Sequence, residues 1–117
     1  MKRFLNFIFA VVLIATFHHA TALKCFADVK DDLCGDTPDG ELVECPSSMD
    51  NPGCLISETD ATTPEYGVDV CQRRCLELPP ESVRCWYGEY GDGELFLKSC
   101  GCRSDGCNEN FDTAGGF

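Results

Sequence analysis

Beyond position 19 the sequence contains no histidine. The remaining residues offer no Ser-His-Asp or Cys-His nucleophile and no imidazole ligand for a zinc site. Cations are scarce as well. Of the nine Lys and Arg, Lys2 and Arg3 stand at the extreme N-terminus, whereas all 20 Asp and Glu lie beyond position 22. Residues 23–117 therefore carry a formal charge of −13 at neutral pH. That charge repels phosphate backbones and anionic membrane surfaces, which argues against binding to nucleic acid or to lipid through a basic patch. Long apolar runs are missing after Ala22, and no Asn-x-Ser/Thr sequon occurs. No segment after Ala22 shows a 3.6-residue apolar period, so helices are not expected.

The one continuous apolar stretch is N-terminal. Lys2-Arg3 form a basic n-region, Phe4 to Phe17 an apolar h-region, and Ala20-Thr21-Ala22 an A-x-A cleavage site. Residues 1–22 thus read as a secretory signal peptide. The h-region is shorter than the roughly 20 residues that span a bilayer. The expected product begins at Leu23 and is secreted, extracellular, acidic, non-catalytic and free of cofactors.

What is abundant is cysteine. All ten lie in residues 23–117, a density that marks a disulfide scaffold in a short exported chain. The even count allows five bridges with no thiol left over. Metal binding by thiolates is the rival reading, but an exported chain meets an oxidising environment and the C-x2-C knuckles of zinc ribbons are missing. The apolar residues come in short groups, among them Leu42-Val43, Leu55-Ile56, Trp86-Tyr87 and Leu95-Phe96-Leu97. Five bridges, each contributing roughly 2–4 kcal/mol, are expected to substitute for the missing core volume.

Short β-rich runs recur between turn signals. Leu23–Phe26 and Glu41–Cys45 flank the turn-forming Cys34-Gly35-Asp36-Thr37-Pro38-Asp39-Gly40 and are expected to pair as a first hairpin. Cys54–Thr59 and Tyr66–Cys71 enclose the loop Asp60–Glu65. Leu76–Pro80 is a connector stiffened by two prolines. Val83–Tyr87 and Glu94–Lys98 flank Tyr90-Gly91-Asp92-Gly93, whose Asp-Gly is a strong hairpin signal. The expectation is a small, disulfide-rich all-β protein of three hairpins in series. Its polar residues 109–117, ending Ala-Gly-Gly-Phe, read as a short disordered tail.

Three hairpins, a Leu-x-Cys start and a final Cys-Asn make the chain resemble the three-finger family. That family includes snake toxins and the lymphocyte-antigen-six and urokinase-receptor (LU) domains. The stretch Cys100-Gly101-Cys102-Arg103-Ser104-Asp105-Gly106-Cys107-Asn108 is similar to the family's closing pattern. The C-x-C spacing, Cys34-Gly35-Asp36 with Val43-Glu44-Cys45-Pro46, and Cys85-Trp86-Tyr87 before a glycine turn are closer to the Quiver/Sleepless branch. The resemblance covers residues 23–108. It implies a three-finger fold with a five-disulfide base: Cys25–Cys54, Cys85–Cys100, Cys102–Cys107, Cys45 with Cys75 or Cys71, and Cys34 with whichever remains. Ten cysteines allow about 945 pairings, and the family, not the spacing, selects these. Members with ten cysteines usually carry one three residues after the first; here that position is Asp28. Asn108 corresponds to the family's terminal Asn, a structural residue that holds the finger bases together.

By the same resemblance the chain is expected to bind and modulate a membrane receptor or ion channel, of the acetylcholine-receptor or potassium-channel type. The candidate contact residues lie at two tips: Asp60, Thr62, Thr63, Glu65 and Tyr66 on the second finger, Tyr90 and Asp92 on the third. The second tip carries two acids and no cation, so a toxin-like insertion of a cation into an aromatic cage is disfavoured. Trp86 and Tyr87, successive on a strand, point to opposite faces, one packed and one open to solvent. Arg73 and Arg74 are expected to pair with carboxylates. Asp28, Asp31, Asp32, Asp36 and Asp39 read as a solvated acidic face, since the spacing of a calcium loop is absent. Many relatives end in a lipid-anchor signal, and no hydrophobic tail follows Cys107 here, so release without an anchor is expected unless the sequence continues. The alternative reading is a disulfide-rich inhibitor of an extracellular protease, with Leu76–Pro80 as the inserted loop.

Overall fold

The computed structural model describes residues 22–116; the signal-peptide reading falls almost wholly outside them. Seven strands form two antiparallel sheets: β1 (Lys24–Phe26), β2 (Asp28–Lys30), β3 (Leu42–Glu44), β4 (Pro52–Ala61), β5 (Val70–Glu77), β6 (Cys85–Tyr90) and β7 (Leu95–Cys102). No described segment is an α-helix, and no described helix is long and apolar enough to cross a membrane. β1 pairs with β3, and the other five strands run in the order β2-β5-β4-β7-β6. The result is a small, mostly β protein whose ten cysteines form five disulfides, with none free.

The β6–β7 turn forms where Asp-Gly predicts it. Gly91, Asp92 and Gly93 all adopt positive φ (63°, 56° and 85°), a backbone that glycine tolerates and Asp accepts more readily than most residues. The β4–β5 connection is longer than expected. Pro64–Tyr66 is a 3-10 turn and Gly67 turns at φ 105°, so the return strand starts at Val70 and runs to Glu77. β1 and β3 pair as expected, with Cys25 opposite Val43. Between them, however, β2 leaves that sheet and pairs with β5, Asp28 facing Arg73 and Lys30 facing Cys71.

The core is built largely of sulfur. Seven of the ten buried apolar residues are half-cystines, joined by Ile56, Leu78 and Ala114. The bridges are Cys25–Cys54, Cys34–Cys71, Cys45–Cys75, Cys85–Cys100 and Cys102–Cys107. Cys34, whose partner the sequence left open, thus joins Cys71. Register concentrates the bridges at one end of the large sheet. Cys54 faces Cys75 on one side and Cys102 on the other, Ile56 faces Cys100, and Glu58 faces Cys71. Beyond the Glu58–Cys71 row, neither hairpin carries a cysteine.

Two acidic side chains that composition alone would put in water are used inside. Asp28 is not part of a solvated face. Its carboxylate meets the buried Arg73 guanidinium at 3.2 Å and accepts the Asp39 and Gly40 N–H groups (2.9 and 3.0 Å). Arg73 also donates to the carbonyls of Gly35, Asn108 and Glu109 (2.9–3.2 Å). One guanidinium therefore ties the first loop, β5 and the C-terminal segment together. Glu58, also buried, accepts the Cys34 N–H at 2.7 Å and faces Lys98 at 3.7 Å.

Residues 109–116 depart from the disordered tail expected of them. They fold back onto the sheet as successive turns. Thr113 Oγ1 donates to the Cys107 carbonyl (2.9 Å), Ala114 is buried, and Phe111 packs on the cystine cluster beneath the Lys98 ammonium, 4.7 Å from its ring centre. The physical reason is that polarity predicts solvation only where nothing apolar needs cover. Here the cystine face would otherwise lie open.

Candidate binding surface

The regular alternation of a pleated sheet divides its residues into two faces without exception along β4–β7, since every register pair is continuous. The back face carries Cys54, Ile56, Glu58, Asp60, Arg73, Tyr87, Glu89, Phe96, Lys98 and Cys100. It is the side on which β1 and the 107–109 turn pack. Asn108 anchors that contact: wholly buried, it accepts the Phe26 N–H and donates to the Phe26 and Leu55 carbonyls, each at 2.9 Å. An Asn is suited to this place because its amide offers both donors and an acceptor to two strands at once.

The front face carries Leu55, Ser57, Thr59, Ala61, Val70, Gln72, Arg74, Trp86, Gly88, Tyr90, Leu95, Leu97, Ser99 and Gly101. Its lower end is covered by the connector. Leu78 lies directly over Gly53 and Gly101, where an added Cβ would come within 2.5 and 2.9 Å of its side chain. Leu78 is consequently buried, and Pro80–Ser82 form a 3-10 turn. The segment Leu76–Pro80 therefore does not offer Leu78 as an extended, exposed side chain of the kind that fills a protease pocket.

The structure separates the candidate tip residues. Thr62 is engaged in the fold, its N–H and its hydroxyl both donating to the Glu94 carbonyl (2.9 and 3.0 Å), which fastens the two long hairpins together at their tips. Thr63 Oγ1 is buried without a hydrogen-bond partner among the described residues. Asp60 is half-buried on the back face opposite Phe96. Glu65 is exposed in the 64–66 turn; the Tyr66 side chain lies outside the described residues. Asp92 is exposed in the β6–β7 turn, and Tyr90, 55% exposed, leans its ring over Gly88 on the front face. Asp60 and Tyr90 thus point to opposite sides of one sheet.

Of the adjacent aromatics, Trp86 is the half-buried ring on the front and Tyr87 the exposed one on the back. Arg84 lies over the Trp86 ring, 5.4 Å from its centre. Tyr87 stacks on Phe96 and donates to Glu89 at 3.2 Å. Partial desolvation, that hydrogen bond, and the Glu89 and Asp60 charges together raise its phenol pKa above the usual value. The sulfurs of Cys25, Cys45 and Cys75 lie within 4.8 Å of one another, but all three belong to disulfides and are not thiolate ligands.

Sequence reasoning passed over Arg84, Leu97 and the Trp86 face as parts of one surface. The signal that finds them is the period-2 pattern Arg84, Trp86, Gly88, Tyr90 read against Leu95, Leu97, Ser99. No family model, curated protein or solved structure matches the chain.

Proposed function

We propose that this chain is a secreted three-finger protein of the LU type, nearest the Quiver/Sleepless branch, that binds and modulates a membrane receptor or ion channel and catalyses no reaction. The observation that supports this reading is the division of labour along the large sheet. All five bridges lie at or below the Glu58–Cys71 row, and the ends of both long hairpins are free of them. Bridges that fix the base allow the outer residues to vary and to be presented with little ordering cost, the requirement for a binding module. The paired tips, joined through Thr62 and Glu94, then act as one unit rather than as two independent fingers. Five disulfides with no free thiol are consistent with an oxidising, extracellular setting. The receptor or channel class is carried by the sequence resemblance.

The test uses oxidised, secreted protein as bait on intact cells, followed by current recordings from cells expressing the captured channel or receptor. Recovery of such a membrane protein, with a change in its current on adding the purified chain, supports the reading. Recovery of proteases alone, with inhibition of their activity, replaces it.

A further inference from the structure

No strand residue on the front face of the large sheet bears a carboxylate; the connector over its lower end carries Glu81. Every Asp and Glu borne by the large sheet's strands, namely Asp28, Glu58, Asp60, Glu77 and Glu89, falls on the back face by register. In a segment with a formal charge of −13 this is a strong segregation. The same face holds two exposed arginines, and no ion pair with Arg74 or Arg84 occurs among the described residues. They share one row of the sheet. Arg74 faces Leu55, Leu55 faces Gly101, and the Gly101 N–H donates to the Arg84 carbonyl. Three interstrand steps therefore separate them, about 14 Å.

Above that row lies an open groove of about 450 Å³, lined on this face by Ser57, Trp86, Gly88, Tyr90, Leu97 and Ser99. Gly88 leaves room for the Tyr90 ring that lies over it, and Trp86 and Tyr90 both line the groove. Aromatic walls with two charge-bearing forks below have the makeup of an interface centre, where Trp, Tyr and Arg are enriched. Both arginines have unspent donors for carboxylates, which they bind in a planar, two-pronged geometry.

We propose that this face is the docking surface for an acidic protein segment carrying one apolar side chain. The apolar side chain enters the Trp86–Tyr90 groove, and carboxylates on either side pair with Arg74 and Arg84. The complementarity is local: most of the molecule repels an acidic partner, so only this face admits one and the approach is oriented. A sulfated polysaccharide fits less well, because it has no apolar group for the groove and meets the same overall repulsion. The proposal rests on the protein-binding reading above and names the surface and chemistry of that binding.

The test pans a random dodecapeptide phage library on the oxidised protein, then titrates synthetic copies of the enriched peptides. Native folding of each variant is checked by its disulfide count and NMR spectrum. The expected peptides contain an aromatic or large aliphatic residue with acids on both sides. Their affinity is expected to fall about tenfold or more in R74E/R84E and in W86A, and to be unchanged in V43A, whose exposed side chain lies on the small sheet away from the groove. Their amide shifts should map to β6, β7 and Arg74. Enrichment of basic peptides, equal binding to R74E/R84E, binding of heparin in preference to the peptides, or no enrichment would each overturn the proposal. Acid-bearing peptides that map instead to residues 62–69 would overturn the front-face proposal while leaving the protein-binding reading intact.

Discussion

Asp28 and Arg73 stand directly opposite each other in the β2–β5 ladder and form a buried ion pair at 3.2 Å. Cys34 bridges to Cys71, two residues along β5 from Arg73. Covalent and electrostatic links thus join the same two segments. Replacing Asp28 with Ala leaves a buried guanidinium without its counter-charge, a loss of about 3–5 kcal/mol. Asp31, which is exposed, should change stability by less than about 0.5 kcal/mol when replaced by Ala. Urea unfolding with all bridges intact distinguishes the two, and equal effects would mean that the ion pair does not hold the first loop.

Asn108 is the next most demanding position. Asn108→Ala strips partners from the Phe26 N–H and from two carbonyls in the interior, at about 1–3 kcal/mol for each group left unsatisfied. Asn108→Asp keeps the acceptor but turns the two donor contacts into repulsion, and is expected to be at least as harmful. The same unfolding measurement applies. A neutral Asn108→Asp would show that the carbonyl contacts carry little.

Phe111→Ala tests whether residues 109–116 are part of the folded unit. The ring covers the cystine cluster and underlies Lys98. Its removal should cost about 2 kcal/mol and speed reduction of the Cys85–Cys100 bridge by dithiothreitol, since Gly116 packs beside Cys85. Unchanged stability and unchanged reduction rate would be the behaviour of a disordered tail.

Tyr87 supplies a pH-dependent observable. Its phenol pKa is raised from the usual value of 10.0, so the folded chain holds this proton more tightly than the unfolded one. The associated stability is present below pH 10 and declines as pH rises through the folded pKa. Glu89→Gln removes the acceptor's charge and should bring the Tyr87 midpoint back down, read from its ring carbon shift in an NMR titration. A midpoint that does not move would assign the shift to desolvation and the Asp60 charge.

Tip exchange addresses recognition. Replacing 63–68 or 91–93 with Gly/Ser segments of equal length leaves the Thr62–Glu94 contacts and all five bridges in place. Binding to a receptor captured as described above should weaken by about thirtyfold if a tip carries an anchor, against far less for single rim charges such as Glu65 or Asp92. Two tip-exchanged proteins that bind like the parent would confine recognition to the sheet.

The sequence by itself determined the covalent and local features. Ten cysteines in an acidic segment, residues 23–117, that lacks histidine dictate a bridged scaffold, alternation marks β1, β3, β4, β6 and β7, and Asp-Gly sets the β6–β7 turn. These depend on residue types and on neighbours a few positions away. Tertiary structure decided everything that depends on distant partners. Alternation says that Trp86 and Tyr87 oppose each other, but only packing of β1, Asn108 and residues 109–116 on one side makes Tyr87's face the back and Trp86's the front. Composition marks Asp28 as a surface acid, whereas the register that sets it against Arg73, 45 positions along, buries it. The same register brings Cys34 to Cys71, because the chain's choice between two cysteines four residues apart is settled by which of them faces the first loop.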